Sequence, residues 1–389
     1  MNKMAKRLTA VLLTLAMAFA VCACAAPEAP AEAPAEAPAE APSEEAVEGA
    51  VGEAVEETAS EYAIDPADTT VGVIVQKLGD KSLSDMTYNG VLAAQEKYGF
   101  EMDFTECGET DMAMVLEDYL ASEEYDLLVI MSYHVFDEAN AALETYPDQK
   151  FVVFDYQAEG NPNMVAQKFN KNEIGFMAGV FTSMLEAKGE LTLNGTKYTW
   201  EPTNKFGAMI GVEVPTTVDT ITGFYAGIQY MNPEAEILYT TVGSWADQTK
   251  AKELAQTTID AGCNFMFHNA GGSFLGALEA FKEAGKFCVV YDNTLYLDST
   301  AIVAASARDG NAVFDRFFNE YFNGTWNGGQ TEENGFFNGC SKFLYQEGLE
   351  VPEDIVTVMD EVLAKIQSGE ISAPSTWDEL ETFDLKYEG

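Results

Sequence analysis

The chain has 389 residues, 47% hydrophobic and 12% aromatic, with 64 acidic residues against 21 basic ones and a formal net charge of −43 at pH 7. That imbalance excludes nucleic acid as a partner, because phosphate contacts need a basic surface. Six cysteines without a Cys-x-x-Cys pair and two histidines outside any metal spacing give no metal site and no cofactor signature.

Lys3, Lys6 and Arg7 form a basic start, and Leu8 to Val21 is an apolar run too short to span a bilayer comfortably. In Val21-Cys22-Ala23-Cys24, small Ala23 stands directly before Cys24, as in a bacterial lipobox. Residues 1–24 are therefore expected to be a lipoprotein signal peptide, with Cys24 lipidated and acting as a tether at the extracytoplasmic face of the cell membrane. An ordinary secretory peptide with incidental cysteines is the alternative. From 25 to 68, proline, alanine and glutamate alternate with 13 acidic residues and no lysine or arginine. No core can form there, and proline stiffness with like-charge repulsion makes the segment an extended, disordered spacer. Residues 69–389 keep 51 acidic and 18 basic residues, so the folded part is itself about −33.

The roughly 320 residues after the spacer exceed what one core usually holds, so two lobes are expected. Val71 to Val75 reads as a strand, followed by a helix through Met86, Val91 and Ala94 that stops at Tyr98-Gly99. Strand Glu101 to Thr105, helix Met112 to Leu120, strand Tyr125 to Met131, helix Ala139 to Tyr146 and strand Lys150 to Asp155 continue the alternation. A second series begins near Ala166: helix Asn172 to Lys188, strand Lys205 to Gly211, helix Thr220 to Met231, strand Ile237 to Val242 and helix Asp247 to Ala261. Between its first two elements, Asn194-Gly195 marks a two-residue hairpin. Phe265-Met266-Phe267, a break at Gly271-Gly272, a helix through Leu275, Leu278 and Phe281, and Phe287 to Asp292 form a βαβ unit. Strand Thr300 to Ser306, helix Gly310 to Phe322 and a last amphipathic helix from Pro352 to Ser368 close the chain.

The pattern predicts an α/β protein of two doubly wound, Rossmann-like lobes joined by several crossings, a geometry that closes by hinge motion around a small ligand. Lobe 1 is expected at 69–160 plus about 293–345, and lobe 2 at 161–292 plus about 346–389. Ligands of such sheets bind beyond the carboxyl ends of the strands, which places Gly271, Gly272 and Asp292 at the site. His268, beside the glycine turn, reads as a structural histidine and Cys288 as a core residue; no pairing among Cys107, Cys263, Cys288 and Cys340 can be chosen. No GxSxG, Walker loop or HExxH is present, so the chain does not read as an enzyme.

Several pieces in consistent order over about 69–385 resemble the basic membrane protein family, the purine-nucleoside-binding lipoproteins of ABC importers with the type I periplasmic-binding-protein fold. They are Asp80-Lys81-Ser82 with Tyr88-Asn89-Gly90, Phe151 to Asp155, Asn172 to Gly179, Gly211 with Pro215, Gly223 to Gly227, Gly243 to Asp247, Ala270-Gly271-Gly272 and Val289 to Asp292. The resemblance implies that Asp292 holds a ribose diol and Asp155 the base edge. It also implies that Asp80 and Ser84 lie near the base, that Tyr88 stacks on it, and that Gly271 and Gly272 let backbone approach the sugar. For each side chain a plainer role stands beside this one: turn caps for Asp155 and Asp292, a helix N-cap for Asp80, core packing for Tyr88.

Departures from the family pattern are Leu83-Ser84 in place of an aromatic and an amide, Thr220 in place of a stacking Phe, and Phe274 in the glycine turn. Trp245 also replaces a Phe, and Arg308 is the best match to a cation expected after the last strand. A base-stacking contact is worth about 1–3 kcal/mol, so Trp245 or Phe274 is the candidate substitute ring. The implied protein is a monomeric solute receptor delivering a nucleoside, or alternatively a sugar-like solute, to ABC permease subunits. A lipoprotein that presents its ligand state to a membrane sensor is the alternative from another class.

Overall fold

The computed structural model describes residues 61–388, apart from 77, 80–82, 109, 132–134, 156, 159 and 293–299. The expected signal peptide, Cys24, the spacer up to residue 60 and Asp80 lie outside the described residues. The end of the expected spacer is ordered, however: Ile64 N–H donates to Phe322 O at 2.9 Å, and Tyr62 packs on Tyr98 and Phe322.

Strand β1 (Thr70–Val75) leads through helix α1 (Leu83–Tyr98), β2 (Glu101–Glu106), α2 (Met112–Ser122), β3 (Leu127–Ile130) and α3 (Phe136–Ala142) to β4 (Lys150–Phe154) and β5 (Met164–Phe169). Then come α4 (Lys171–Lys188), the hairpin β6 (Glu190–Leu193) and β7 (Thr196–Thr199), β8 (Lys205–Ile210), α5 (Pro215–Met231), β9 (Glu236–Thr241) and α6 (Gln248–Asp260). The series continues with β10 (Phe265–Asn269), α7 (Phe274–Glu283), β11 (Phe287–Tyr291) and β12 (Ile302–Arg308). The returning portion holds α8 (Gly310–Phe322), β13 (Thr331–Asn334), β14 (Ser341–Tyr345), β15 (Leu349–Glu350), α9 (Glu353–Gln367) and α10 (Trp377–Thr382).

One sheet runs β13-β5-β4-β3-β1-β2, with every pairing parallel. The other runs β14-β12-β11-β10-β8-β9, parallel except for β14. Leaving out the edge strands β13 and β14, the two sheets have the same doubly wound order, so β4 in one corresponds to β11 in the other, and β5 to β12. Strand alternation sends Val71, Val73 and Val75 against α1 and α8, while Ile74, Leu128 and Ile130 face α2 and α3. In the second sheet Phe206, Phe265, Phe267 and Val289 pack under α4, α5 and α9, and Met209, Met266 and Cys288 under α6 and α7. Buried on both faces, these strands read as unbroken apolar runs in the sequence.

The chain passes between lobes three times: from β5 to α4, from β12 to α8, and from β13 to β14. Backbone hydrogen bonds tie these passages side by side, Asn170 N–H to Asn334 O at 2.7 Å and Asp309 N–H to Cys340 O at 2.9 Å. The buried Glu173 carboxylate accepts from the backbone N–H of Phe336 at 2.6 Å and of Phe337 at 3.2 Å, pinning the start of α4 to the third passage.

Several boundaries differ from expectation. Ile302–Arg308 and Ser341–Tyr345, expected in lobe 1, hydrogen-bond into the second sheet, and Met164–Phe169, expected in lobe 2, into the first. Both sheets need a fifth strand, and nothing local in an apolar run says which sheet will complete it. Helix α3 covers Phe136–Ala142 rather than 139–146, burying Phe136 and Ala139. Helix α5 starts five residues earlier than expected, at Pro215, whose fixed φ suits a first helical position. A short α10 follows α9. The hairpin forms as expected, with Asn194 at φ 51° and Gly195 at φ 72°. Cys107, Cys263, Cys288 and Cys340 are all free.

Candidate functional site

Asp155 and Asp292 each follow directly on corresponding strands of the two sheets, and each has the left-handed backbone conformation, φ 52° and φ 60°. Non-glycine residues adopt it uncommonly, aspartate more readily than most, and such strain concentrates at functional sites. Each backbone N–H donates at 3.0 Å to the next strand, Asp155 to Gln167 O and Asp292 to Ser306 O. The sheets thus aim two carboxylates from equivalent corners toward the passages between the lobes.

Two cations meet them there. Arg308, last residue of β12 and buried, grips Asp292 with two donors, Nε to Oδ1 at 3.1 Å and a terminal nitrogen to Oδ2. Another Arg308 nitrogen lies 3.7 Å from Asp155 Oδ2, and the guanidinium sits 5.3 Å above the Phe169 ring. Lys171 Nζ donates to Asp155 Oδ2 at 3.0 Å. Lys171 is the first residue of α4, where the helix dipole disfavours a cation, so Asp155 compensates a position that is unfavourable locally. Burial alone raises the Asp155 pKa, but Lys171 and Arg308 hold it below the usual carboxylate range. Burial works against the charge on Arg308, and Asp292, Tyr291 and Asp155 more than restore it.

Asp219 joins this cluster from α5. It is half-buried, accepts a hydrogen bond from Thr220 Oγ1 at 3.2 Å, and feels Lys171, Asp155 and Tyr291. Burial pushes its pKa up to about 7, with Lys171 and Thr220 opposing and Asp155 adding to the rise. Asn269, last residue of β10, donates to Thr220 Oγ1 at 3.0 Å. The position of α5 is fixed by bare backbone contact with α4: a Cβ on Gly175 would lie 1.9 Å from Thr220 O, and one on Gly223 2.0 Å from Asn172 O. Only glycine permits that approach. A cavity of about 480 Å³ opens beside Asp219, walled by Phe169, Asn170, Asn172 and the segment 372–384.

The glycine turn after β10 is shaped by Trp245. Gly271, at φ 54°, and Gly211 both lie under its ring, where a Cβ would meet Cε3 at 3.2 and 2.5 Å. Ser273 N–H donates to Trp245 O at 3.0 Å, and Ser273 Oγ donates to Ser244 O at 2.8 Å. Trp245 remains 45% exposed, so an aromatic face stands beside the turn formed by Gly271 and Gly272.

Asp155, Asp292 and Arg308 are therefore brought together at the passages, and Trp245, Gly271 and Gly272 form the adjoining rim. Phe274, expected as a substitute ring, does not reach it. Phe274 begins α7 on the face that packs onto the sheet, is fully buried, and lies 3.4 Å from the His268 ring at an interplanar angle of 7°. His268 is buried too, with Nδ1 accepting from Ala270 N–H at 3.4 Å, which suits the structural role expected of it. Ser84 is buried and donates to Met131 Sδ at 3.3 Å. The half-buried Tyr88 ring packs 4.5 Å from Phe104. Sequence reasoning missed Lys171 and Asp219. The signals were a lysine at a helix start and an acid inside the polar run Thr216-Thr217-Val218-Asp219-Thr220 of an otherwise buried helix.

The model of the Bmp family, described as ABC transporter substrate-binding protein PnrA-like, matches residues 68–376. Basic membrane protein A of Borreliella burgdorferi is 24% identical, the match covering 78% of this chain and 87% of that protein. An uncharacterized lipoprotein of Pyrococcus horikoshii is 25% identical, covering 78% and 83%. Among solved structures, an ABC transporter solute-binding protein from Aeropyrum pernix K1 superposes with a TM-score of 0.64 at 22% identity, covering 81% of this chain and 96% of that one. The shared fold is that of the type I periplasmic binding proteins. No helix among the described residues is long and apolar enough to cross a membrane.

Proposed function

The chain belongs to the Bmp family of PnrA-like ABC transporter substrate-binding proteins, and from that premise we propose that it captures a purine nucleoside between its lobes and hands it to a permease. The observation that carries this reading is the pair Asp155 and Asp292, presented from corresponding strand ends and held in place by Lys171 and Arg308. An ionised carboxylate offers about four acceptor sites. Asp292, held by Arg308, presents a carboxylate whose charge-assisted bonds suit the hydroxyls of a ribose diol. The guanidinium fixes the carboxylate, so less freedom is lost when the ligand arrives. Trp245 supplies the exposed ring face, replacing the stacking residue that Thr220 does not provide.

Hinge closure over the solute is the mechanism, with no covalent chemistry. The three passages are the segments about which the lobes turn, and the charged cluster lies on them, so a ligand seated there favours the closed arrangement by its differential contacts. Cys24, lipidated, would hold the receptor at the outer face of the membrane, in keeping with the lipoprotein named among the relatives.

Calorimetry with guanosine, inosine, adenosine and cytidine tests the ligand class; at least one binds tightly, and silence from all four removes the nucleoside reading. Free ribose serves as the sugar control and binds far more weakly. Asp292→Asn keeps the shape and loses the charge, and charge-assisted bonds are roughly twice as strong as neutral ones. Affinity is expected to fall more than tenfold, and wild-type affinity in that variant assigns the diol to another group.

A further inference from the structure

Asp155, Asp219 and Asp292 converge at the passages with Lys171 and Arg308 as the cations among the described residues. Lys171 is committed to Asp155 and Arg308 to Asp292 and Asp155, whereas the hydrogen bonds to Asp219 come from the hydroxyl and amide of Thr220. Among the described residues, one acid is thus in surplus. Facing it are Lys171 from α4, Asp155 from the end of β4 and Tyr291 from β11. On its cavity side stand Lys168, already paired with Glu333 at 3.3 Å, and two further acids, Glu379 and Asp384. The negative balance therefore extends into the cavity, and the Gly175 and Gly223 contacts leave α5 no room to swing Asp219 away.

We infer that Asp219 is a specificity-determining residue: it favours an uncharged solute rich in N–H or O–H donors and rejects the same solute once it carries a phosphate. This rests on the nucleoside reading. Donors on the solute satisfy the surplus carboxylate, whereas a phosphate adds like charge where burial weakens screening. Because burial places the pKa of Asp219 at about 7, its charge appears as pH rises through neutrality, and the discrimination grows with it.

The experiment compares guanosine with guanosine 5′-monophosphate by calorimetry at pH 5.5 and 8.5, in wild type, Asp219→Asn and Asp219→Glu. In wild type the affinity ratio of nucleoside to monophosphate rises at least tenfold more across this range than in Asp219→Asn, the phosphate's own titration being common to both. Asp219→Glu keeps the wild-type behaviour. Without ligand, the melting temperature of Asp219→Asn gains on wild type as pH increases from 4 to 7, because an acid with a raised pKa destabilises the fold once ionised. An unchanged ratio and slope in Asp219→Asn, with guanosine still bound by wild type, overturn this assignment alone. Absence of nucleoside binding in wild type overturns the ligand class and this assignment with it.

Discussion

Replacing Arg308 by Met tests the cluster most directly. Arg308 is 6% exposed and Asp292 4%. Methionine keeps much of the apolar stem over Phe169 and removes the guanidinium. Asp292 then stays buried without its bidentate partner, and Asp155 keeps its bond to Lys171. Removing one member of a buried ion pair costs about 3–5 kcal/mol, since the other charge is left uncompensated. At about 2.1 cal/mol/K per residue, a folded unit of about 320 residues loses about 1.5 °C per kcal/mol, so a fall of roughly 4–8 °C is expected. Circular dichroism during heating and urea titration measures it. Asp292→Asn/Arg308→Met removes the stranded charge as well, and asparagine tolerates the left-handed backbone at this position. The double variant should therefore be more stable than Arg308→Met alone. The reasoning is refuted if Arg308→Met lies within about 0.5 kcal/mol of wild type, the range of ordinary surface changes, or if the two substitutions simply add.

His268 is buried and neutral, its pKa lowered by burial from 6.5 to about 3. The unfolded chain binds the proton first as pH falls, so stability is complete above pH 6.5 and declines by about 1.4 kcal/mol per pH unit below it, down to about pH 3. His268→Phe, which keeps a ring on Phe274, should remove that slope in urea titrations between pH 4 and 7; an unaltered slope places the acid sensitivity elsewhere. Gly223→Ala puts a methyl 2.0 Å from Asn172 O. Backbone cannot yield as a side chain tip does, so a loss at or above the usual overpacking cost of about 1–3 kcal/mol is expected, with weakened solute binding as α5 is pushed off α4. Gly195→Ala provides the control. Its φ of 72° costs an alanine about 1–2 kcal/mol, but no atom lies within 4 Å of the new Cβ, so stability should drop while affinity is unchanged.

The strands were legible because a parallel sheet buried on both faces demands continuous apolar runs, as in Leu127–Ile130 and Phe265–Phe267. The strand-end placement of Asp155 and Asp292 was legible for a related reason: each acid stands directly after such an apolar run. Phe274 was misjudged because its position beside two glycines says nothing about which way a helix turns its first side chain. Lys171 and Asp219 were passed over because each looks ordinary in its own segment. Their meaning comes from partners far along the chain, Asp155 sixteen residues before Lys171, and both Lys171 and Asp155 well before Asp219.

What the sequence determined by itself is local: hydrophobic period, turn chemistry at Asn194-Gly195, and acids at strand ends, each set by the steric and solvation preferences of a few neighbouring residues. Tertiary structure alone decided which sheet receives Ile302–Arg308 and Met164–Phe169, and so which side chains meet at the passages. Both segments are apolar enough for either sheet, and the choice depends on strand pairing, which is long-range. The imbalance of three carboxylates over two cations among the described residues follows from that choice, because charges attract or repel according to distance in space, whatever their separation along the chain.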